Sequence, residues 1–551
     1  MLVSIFNDVL GPVMRGPSSS HCAAALRIGR LGRDLMDGQI DDVLIEFDRS
    51  GSLPTTHESQ GSDMGLFGGL LGWDADDERL PDAVQAFADS GAGIRIETID
   101  VGDPHPNTYR LTLSNAAGRH TMRAISTGGG MIEVIDIDGA TVSIGGDYEE
   151  TLLWPAGDAT GVQESGHGDA SVVCHLADRV RELATERDGL AEVRVHHAGE
   201  RHFVQVSSVE PLPQQSLDSL SASGLLEATR RLRRVLPVGS YPGMQVPFRT
   251  CRQMLEYDAG RGRPLWELAI EYERIRGRID DDRVMSMMID IVRILKRSIA
   301  AGIAGTSYDD RVLPAQAPAL AQRLAAGGLL DAGGLNQVVL AVTALMEVKS
   351  SLGVIVAMPT AGACAALPGA VIAMAEARGL SEVEIARALL AGGLIGVFIA
   401  NQFSFAAEVG GCQAEGGSAA AMAAASLVTL AGGGLEQSVA AASLALQSMI
   451  GLICDPIANR VEAPCLGKNV MAAANAVCCA NMALAGFVEV IPLDEVIETA
   501  RRVAEQMPRE LRCTALGGLS ITPTSLAILD RLEAGTTARR AGCGGGSCGC
   551  G

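Results

Sequence analysis

Aromatic residues are scarce in this sequence, and basic residues are outnumbered by acidic ones. Phe, Trp and Tyr make up 3% of the 551 residues, so the chain lacks the aromatic belts that anchor spanning helices at the two faces of a membrane. Lys and Arg number 44 against 65 Asp and Glu, which gives a formal net charge of −21. A chain this acidic is not expected to bind nucleic acid or an anionic membrane surface.

The amino-terminal residues lack the pattern of a secretory leader. The opening MLVSIFNDVLGPVMRG has neither a basic start nor a sustained apolar stretch. The chain has 13 cysteines, an odd number, and without a leader these are expected to be reduced thiols rather than a disulfide framework. We therefore predict a cytoplasmic protein.

Two stretches without charge raise the question of a membrane. Residues 388–407 and 416–435 each run 20 residues without a charged side chain, which is long enough for a membrane span. Both are built largely from Ala, Gly and Ser, and Glu408 and Glu415 lie in the short link between them. We interpret them as buried helices that pack closely through small side chains.

Short apolar runs alternate with turns over residues 1–150. Segments such as DDVLIEFD and YRLTLSN alternate apolar and polar residues, which is the pattern of half-buried antiparallel strands. Helical patterns at 21–36 and 81–91 are expected to cover one face of the resulting sheet. This part of the sequence predicts an α+β domain.

The rest of the chain divides into three segments with a linker. Residues 151–211 show a strand, an amphipathic helix and two further strands, and residues 211–224 have the polar composition of a linker. From 225 to 535 the patterns are helical throughout, which predicts an all-α domain. Residues 536–551 form a Gly- and Cys-rich tail, a composition typical of a flexible arm. The predicted fold class is therefore α+β with several domains.

Three cysteines stand in polar surroundings marked by Gly and Pro. Cys412, Cys454 and Cys465 are separated by 42 and 11 residues, and neither interval is the C-x-x-C spacing of a structural zinc site. Three thiolates from separate loops suit an iron–sulfur cluster that leaves one iron without a protein thiolate. Such an iron could act as a Lewis acid toward a carboxylate and a hydroxyl. The alternative is that they are buried free cysteines, which behave as small apolar side chains.

A run of hydroxyl groups opens the first helical pattern. The sequence GPSSSH places Ser18, Ser19, Ser20 and His21 at the head of the helix. One serine is expected there as an N-cap. Because a cap needs only one hydroxyl, the others are left to meet an anionic group at the positive end of the helix.

A second polar loop lies in the helical region, in MPTAGACAALPG. Pro359 ends a helix, Thr360 offers a hydroxyl, and Gly362 lets the backbone approach a ligand. Thr360 as a simple helix cap is the alternative. The amide of Asn401 lies near these loops in sequence and is a further candidate for orienting a small polar ligand.

These motifs resemble those of one enzyme family. The segments GGCQAE, GLICDP and PCLGKN resemble the cluster-cysteine segments of the bacterial iron–sulfur L-serine dehydratases, and GPVMRGPSSSH resembles the start of that family's β subunit. Their order in one chain resembles a fused β–α enzyme. The resemblance implies a β domain at 1–150, an ACT-like βαββ segment at 151–211 that binds effectors or mediates dimerisation, and a catalytic domain at 225–535.

The resemblance also implies a cofactor and a reaction. A [4Fe-4S] cluster would be held by Cys412, Cys454 and Cys465, with Cys548 or Cys550 of the tail as a further ligand. The enzyme would convert L-serine to pyruvate and ammonia, be sensitive to oxygen, form a homodimer, and serve amino-acid catabolism and gluconeogenesis. The implied catalytic residues are Ser18, Ser19, Ser20, His21, His57, Thr360, Gly362 and Asn401.

The general base stays open at this point. His21 and His57 are candidates because imidazole titrates near neutrality, and a serine alkoxide or a cysteine thiolate are alternatives. The sequence departs from the family pattern at Gln60, Tyr308 and Cys513. The amino acid that is deaminated therefore stays open as well.

Other functions remain as alternatives. A related iron–sulfur lyase could act on another small amino acid, for example by removing sulfide from cysteine. A non-catalytic amino-acid or thiol sensor could use the same scaffold. A pyridoxal phosphate enzyme is disfavoured, because no lysine stands in a setting that suggests a Schiff-base partner for a phosphate-binding glycine loop.

Overall fold

The chain folds into two units. The computed structural model describes residues 2–58, 60–156, 168–184, 189–198, 201–309 and 311–543. The amino-terminal unit comprises Met1–Asn7, Pro12–Val246 and Ile275–Arg278, and the carboxy-terminal unit comprises the remaining segments Asp8–Gly11, Pro247–Arg274 and Ile279–Gly551.

The amino-terminal unit combines strands and helices. Its strands are β1 (Val13–Arg15), β2 (Asp42–Asp48), β3 (Gly93–Ile99), β4 (Thr108–Asn115), β5 (Gly118–Gly128), β6 (Met131–Ile137), β7 (Ala140–Ile144), β8 (Glu149–Pro155), β9 (Leu190–Ala198), β10 (Arg201–Ser208) and β11 (Leu226–Leu232). Its helices are α1 (Ala24–Leu35), α2 (Leu53–Thr56), α3 (Ser62–Leu71), α4 (Ala83–Asp89), α5 (Gly168–Ala184) and α6 (Gln214–Ala222).

A six-stranded sheet occupies the first part of this unit, in the order β3-β2-β4-β5-β6-β7. The predicted strands and the predicted helices α1 and α4 are confirmed. The expectation of a purely antiparallel sheet was wrong at one edge, because β3 pairs with β2 in parallel. The connection between these two strands contains α2, α3 and α4, and a crossover of this length returns the chain in the same direction.

A four-stranded antiparallel sheet follows, in the order β11-β8-β10-β9. With α5 and α6 it forms a βαββαβ unit of ferredoxin-like topology. The interpretation of 211–224 as a linker was therefore wrong, since α6 lies there, and so was the helix predicted from residue 225. The sequence LEATRRL is rich in good helix formers, but it pairs with β8 as a strand.

The second part of the chain is predominantly helical, as predicted. From Cys251 onward the helices are α7 (Cys251–Asp258), α8 (Leu265–Gly277), α9 (Asp281–Ala304), α10 (Ala317–Ala325), α11 (Leu335–Ser350), α12 (Ala366–Ala377), α13 (Glu382–Gln402), α14 (Ala407–Gly410), α15 (Ser418–Leu430), α16 (Leu435–Gln447), α17 (Cys465–Leu484), α18 (Leu493–Gln506) and α19 (Pro523–Cys543). A short strand, β12 (Val354–Val356), was not predicted. Helix α19 continues into the segment that was predicted to be a flexible tail.

Helices α13 and α15 correspond to the two stretches without charge. Over the described residues, one helix, α13, is long and apolar enough to cross a membrane, and 78% of its most apolar window is buried inside the protein. Its partner α15 is buried along almost its whole length. At Gly392 the two helices approach so closely that an added Cβ would lie 2.3 Å from the Ser426 Oγ. The prediction of core helices packed through small side chains is confirmed.

This close packing predicts a large effect for a single methyl group. Gly392→Ala should lower the free energy of unfolding by about 1–3 kcal/mol, because the added carbon overlaps with α15. Gly467→Ala is the matched control, since nothing lies within 4 Å of an added Cβ at that position in α17. Thermal and urea unfolding of the two variants would measure the difference. Equal midpoints would contradict the described packing.

Candidate active site

Thiols from three chain segments meet in the carboxy-terminal unit. Cys412 and Cys454 are buried, with 6% and 4% of their surface exposed, and the partly exposed side chain of Cys513 packs against them. Hydrogen bonding with Cys412 and Cys513, together with burial, raises the pKa of the Cys454 thiol far above its usual range. Two of the three predicted cluster ligands therefore lie together, joined by a thiol that was not proposed as a ligand.

Cys465 lies at the start of α17, close to this group. Burial raises the pKa of its thiol to about 12, while Lys349 acts against burial and Cys412 acts with it. The thiols of Cys454 and Cys465 are expected to be neutral without a metal, because their pKa values are raised. Metal binding would have to release their protons.

A partly exposed lysine and a buried lysine bring positive charge to the thiols. The Nζ of Lys468 lies 3.8 Å from the Cys412 Sγ and donates to Asp455 Oδ1 over 2.6 Å. Burial alone would lower the pKa of Lys468, but Cys412 and Asp455 outweigh it, so that this pKa is raised. Lys349 has no exposed surface and donates to the carbonyl of Val461. These charges offset part of the negative charge that thiolates would bring.

An unpaired amide adjoins the sulfur site. Gln413 is fully buried, its Oε1 accepts from the Gly451 amide over 2.9 Å, and its Nε2 has no hydrogen-bond partner within the described part of the chain. The Ser418 Oγ nearby in sequence is likewise unpaired there. Such orphaned buried polar groups are costly unless a ligand satisfies them.

The donor set suits an iron–sulfur cluster better than a single ion. Among the described residues, no group of three or more His, Cys, Asp or Glu side chains is arranged to hold one metal ion. A four-iron cluster takes each thiolate on a different iron, so its ligands need not converge on one point. Soft thiol ligands, nearby lysines and an orphaned amide donor fit the charge and hydrogen-bonding needs of such a group.

A buried carboxyl group lies beside the second predicted loop. The Thr360 hydroxyl donates to Glu415 Oε1 over 2.7 Å and also accepts from the Ala363 amide. Burial raises the pKa of Glu415 to about 7, and the Thr360 hydrogen bond opposes this shift. A Cβ on Gly362 would lie 2.8 and 2.9 Å from the two carboxylate oxygens, so a larger residue would displace the Glu415 carboxylate. Thr360 is thus more than a cap.

Asn469 fixes this loop to the helix that carries Cys465. Its Nδ2 donates to the carbonyls of Gly362 and Cys465 over 2.8 and 3.0 Å. Its Oδ1 accepts from the amides of Ala365 and Ala366. The sulfur site and the Glu415 carboxyl are therefore built on one hydrogen-bonded framework.

The serine-rich motif forms a hydrogen-bonded group in the amino-terminal unit. The Ser18 Oγ lies 2.9 Å from Nδ1 of the buried His21, and the His21 Nε2 lies 3.1 Å from the Thr56 Oγ1. The Thr56 hydroxyl donates to the Ser52 carbonyl over 2.7 Å, so it accepts from the ring and places the proton on Nε2. Burial lowers the pKa of His21 to about 4. The neutral ring therefore accepts the Ser18 proton at Nδ1.

His57 is held by a carboxylate rather than exposed in its loop. Its Nδ1 lies 2.9 and 2.7 Å from the two oxygens of Asp63, and both side chains are largely buried. This is the arrangement that orients an imidazole for proton transfer. Thr56 contacts His21, and its neighbour His57 contacts Asp63. The two imidazole rings are therefore connected through one short segment of the chain.

Other predicted residues lie apart from these groups or outside the described residues. The Asn401 side chain donates to the carbonyls of Val397 and Arg249, and neither of these hydrogen bonds involves a thiol. Neither Ser19 nor Ser20 joins the Ser18–His21 pair, and Ser18 makes no side-chain cap. Cys548 and Cys550 lie outside the described residues.

The helical region of this chain matches known proteins. The family model described as serine dehydratase alpha chain matches residues 260–520. The probable L-serine dehydratase alpha chain of Bacillus subtilis is 33% identical over 293 residues, which cover 53% of this chain and 98% of that protein. The L-serine dehydratase alpha chain of Peptoniphilus asaccharolyticus is 31% identical over 280 residues, which cover 51% and 96%. The chain belongs to the serine dehydratase family.

A serine dehydratase beta chain also matches. The probable L-serine dehydratase beta chain of Bacillus subtilis is 38% identical over 150 residues, which cover 27% of this chain and 67% of that protein. This chain of the serine dehydratase family therefore resembles both an alpha and a beta chain. The resemblance predicted from the motifs is confirmed.

Several site residues of this serine dehydratase family member were not predicted from its sequence. Glu415 could have been found as a charge inside an otherwise uncharged region, and Asn469 as the last residue of PCLGKN. Cys513 is 48 residues beyond Cys465, and no local pattern connects it to the thiols. Asp63 follows His57 by six residues, a spacing that has meaning only when α3 is known.

The Thr360–Glu415 contact predicts a pH-dependent loss of stability. Thr360→Val should cost about 1–3 kcal/mol, because it leaves a buried acceptor without its donor. The cost should be larger at pH 8 than at pH 5.5, since Glu415 is ionised above its pKa of about 7 and a charged acceptor loses more.

Thr343→Val is the matched control for this experiment. Thr343 is buried in α11, and its hydroxyl donates to the Val339 carbonyl of its own helix. Urea unfolding of the cluster-free chain at both pH values would measure the free energies. The same loss in both variants, or no dependence on pH, would argue against a functional Thr360–Glu415 pair.

Proposed function

We propose that this chain catalyses the deamination of L-serine to pyruvate and ammonia, with a [4Fe-4S] cluster bound by Cys412, Cys454 and Cys465. The observation that carries the proposal is the meeting of the Cys412 and Cys454 thiols in the region matched by the serine dehydratase alpha chain. The placement of Cys465 at the start of α17, within electrostatic range of Cys412, supports its inclusion.

The chain would bind and orient the amino acid beside these thiols. A bound cluster with one iron free of thiolate supplies a Lewis acid for the carboxylate and the departing hydroxyl of the substrate. The unpaired Nε2 of Gln413 is available to donate to an anionic group at this position. Lys349 and Lys468 add positive charge, which favours a substrate carboxylate over a neutral ligand.

Glu415 is the proposed general base of the carboxy-terminal unit. Its Oε1 accepts from Thr360, which directs Oε2 toward proton transfer. A carboxyl with a pKa of about 7 is suited to accept the weakly acidic Cα proton at neutral pH, and general-base assistance is typically worth about 10²–10⁴-fold. Loss of the Cα proton and of the β-hydroxyl gives an enamine, which tautomerises and hydrolyses to pyruvate and ammonia.

The residues of the amino-terminal unit are proposed for proton transfer and substrate contact. Ser18 can give its proton to the unprotonated Nδ1 of His21, and His57 is oriented by Asp63. Ser19 and Ser20 remain proposed as hydroxyl groups for an anionic ligand at the start of α1.

The setting of the enzyme is also proposed. The ten cysteines whose side chains the structure describes are free, which favours a reducing compartment such as the cytoplasm. The βαββαβ topology supports an ACT-like role in effector binding or in forming a homodimer. With the proposed cluster the enzyme would be sensitive to oxygen. With the proposed reaction it would serve amino-acid catabolism and gluconeogenesis.

Anaerobic reconstitution tests the reaction and the ligands together. Protein loaded with iron and sulfide should form pyruvate from L-serine, and Cys412→Ala, Cys454→Ala and Cys465→Ala should each lose cluster and activity. Cys478→Ala, which removes an exposed thiol of α17, should keep both. Sulfide release from L-cysteine without pyruvate from L-serine would favour the lyase alternative. Binding of L-serine without ammonia release would favour a sensor.

The role of Glu415 predicts a distinctive pH profile. Glu415→Gln should lower kcat by about 10²–10⁴-fold and remove the acid limb of the wild-type profile. That limb should lie near pH 7, because the base acts only when ionised, above its pKa.

Glu408→Gln provides the control for the base. Glu408 is exposed, and its negative charge raises the pKa of Glu415. Its removal should therefore keep the activity and move the acid limb to lower pH. A wild-type profile that is flat between pH 6 and 8 under conditions where chemistry limits the rate would refute the assignment of Glu415.

A further inference from the structure

The thiol of Cys513 lies where no ligand was expected. Its side chain packs against Cys412 and Cys454, and it comes from a segment 59 residues beyond Cys454. We propose that Cys513 is a fourth thiolate ligand, which binds the iron left without a thiolate by Cys412, Cys454 and Cys465 until the substrate takes its place. This inference rests on the proposed function and extends it to the resting state of the site.

Backbone hydrogen bonds hold Cys513 beside Cys454. The Cys454 amide donates to the Leu511 carbonyl over 2.9 Å, and the Cys513 amide donates to the Cys454 carbonyl over 3.3 Å. These bonds form a short bridge between the two segments. The main chain therefore holds the two cysteine residues next to each other.

A second attachment fixes the far end of the same segment. The Asp455 Oδ2 accepts from the Leu519 amide over 3.0 Å, while its Oδ1 accepts from Lys468. The Ser520 hydroxyl donates to the Pro456 carbonyl over 2.8 Å. Residues 511–520 are thus attached to 454–456 on both sides of Cys513. The lysine near Cys412 takes part in the same network.

The backbone of Cys513 adopts a conformation that cysteine rarely uses. Its φ is +50°, in the left-handed region that non-glycine residues seldom occupy. Strain of this kind is retained where the surrounding structure requires a side chain at that point. The Cys513 side chain at this position packs against Cys412 and Cys454.

Exposure distinguishes Cys513 from the other thiols. Cys412, Cys454 and Cys465 are buried, whereas Cys513 is partly exposed. A ligand at the solvent side can leave and return without opening the protein. To bind iron the thiol gives up its proton, and when the substrate carboxylate or hydroxyl takes its place the sulfur regains a proton. No oxidation or reduction is involved.

Alkylation of the full-length protein tests this proposal directly. Iodoacetamide would be added anaerobically to the cluster-free chain, to the loaded chain, and to the loaded chain with L-serine, and each cysteine would be followed by mass spectrometry. We expect Cys513 to be at least tenfold more slowly labelled in the loaded chain and to recover when L-serine is added. Exposed Cys174 and Cys478 serve as internal controls that should not change.

The outcomes separate this inference from the proposed function. If iron and sulfide analysis shows a bound cluster while Cys513 is labelled at its cluster-free rate, the cluster stands and the fourth ligand is refuted. If the analysis shows that no cluster forms, the proposed function fails first. Protection of Cys513 without recovery on adding L-serine would refute the exchange with substrate.

Substitution of the thiol adds a spectroscopic readout that folding alone would not change. Cys513→Ser should alter the Mössbauer parameters of one of four iron sites and leave the other three unchanged, because oxygen replaces sulfur at one iron. Cys513→Asn, which tolerates the left-handed backbone, should bind a cluster that loses one iron in air several times faster than wild type. Cys478→Ser is the matched control. Unchanged spectra in both Cys513 variants would overturn the assignment.

Discussion

A polar site inside an apolar helical unit requires that its loops be fixed by hydrogen bonds, and the Asn469 side chain supplies this constraint. It is 4% exposed and uses both its amide nitrogen and its oxygen on main-chain groups of the 362–366 loop and of α17. The positions of Thr360, Glu415 and Cys465 all depend on this framework. Because a buried amide that loses its partners is costly, the framework is held in one arrangement.

Charge is the second constraint on this site. Thiols and a carboxyl are buried together, and each raises the cost of ionising the others. Lys349 and Lys468 lie among them, and Asp455 holds Lys468 in place over 2.6 Å. Burial raises the pKa of Glu415 to about 7. The pKa values of the Cys454 and Cys465 thiols are raised as well, so a metal that binds them must displace their protons. Burial therefore affects both the carboxyl group proposed for proton transfer and the thiols proposed for metal binding.

Much of the fold could be predicted from the sequence, because its patterns are local. The alternation in DDVLIEFD and the small-residue composition of α13 and α15 gave the correct elements. LEATRRL was predicted as a helix because its residues are good helix formers, but pairing with β8 decided its structure. The parallel pairing of β3 with β2 also depends on partners that lie far away in sequence.

The candidate site was partly predictable for the same reason. Four of the candidate residues stand in motifs marked by Gly and Pro, so the neighbouring sequence was enough to identify them as candidates. These residues are Cys412, Cys454, Thr360 and Gly362. Cys513 and Asn469 act through contacts with segments 59 and 107 residues away, and such contacts leave no local pattern. His57 was identified, but its partner Asp63 became evident only from the fold of α3.

The hydrogen bonds of His21 have a consequence for the direction in which a proton can travel. Thr56 occupies Nε2 and passes its own hydrogen to the Ser52 carbonyl, so the ring cannot rotate without breaking two contacts. Nδ1 is then the sole basic atom of the imidazole, and it faces Ser18. Any proton exchange of the ring therefore takes place at Nδ1, on the side of Ser18.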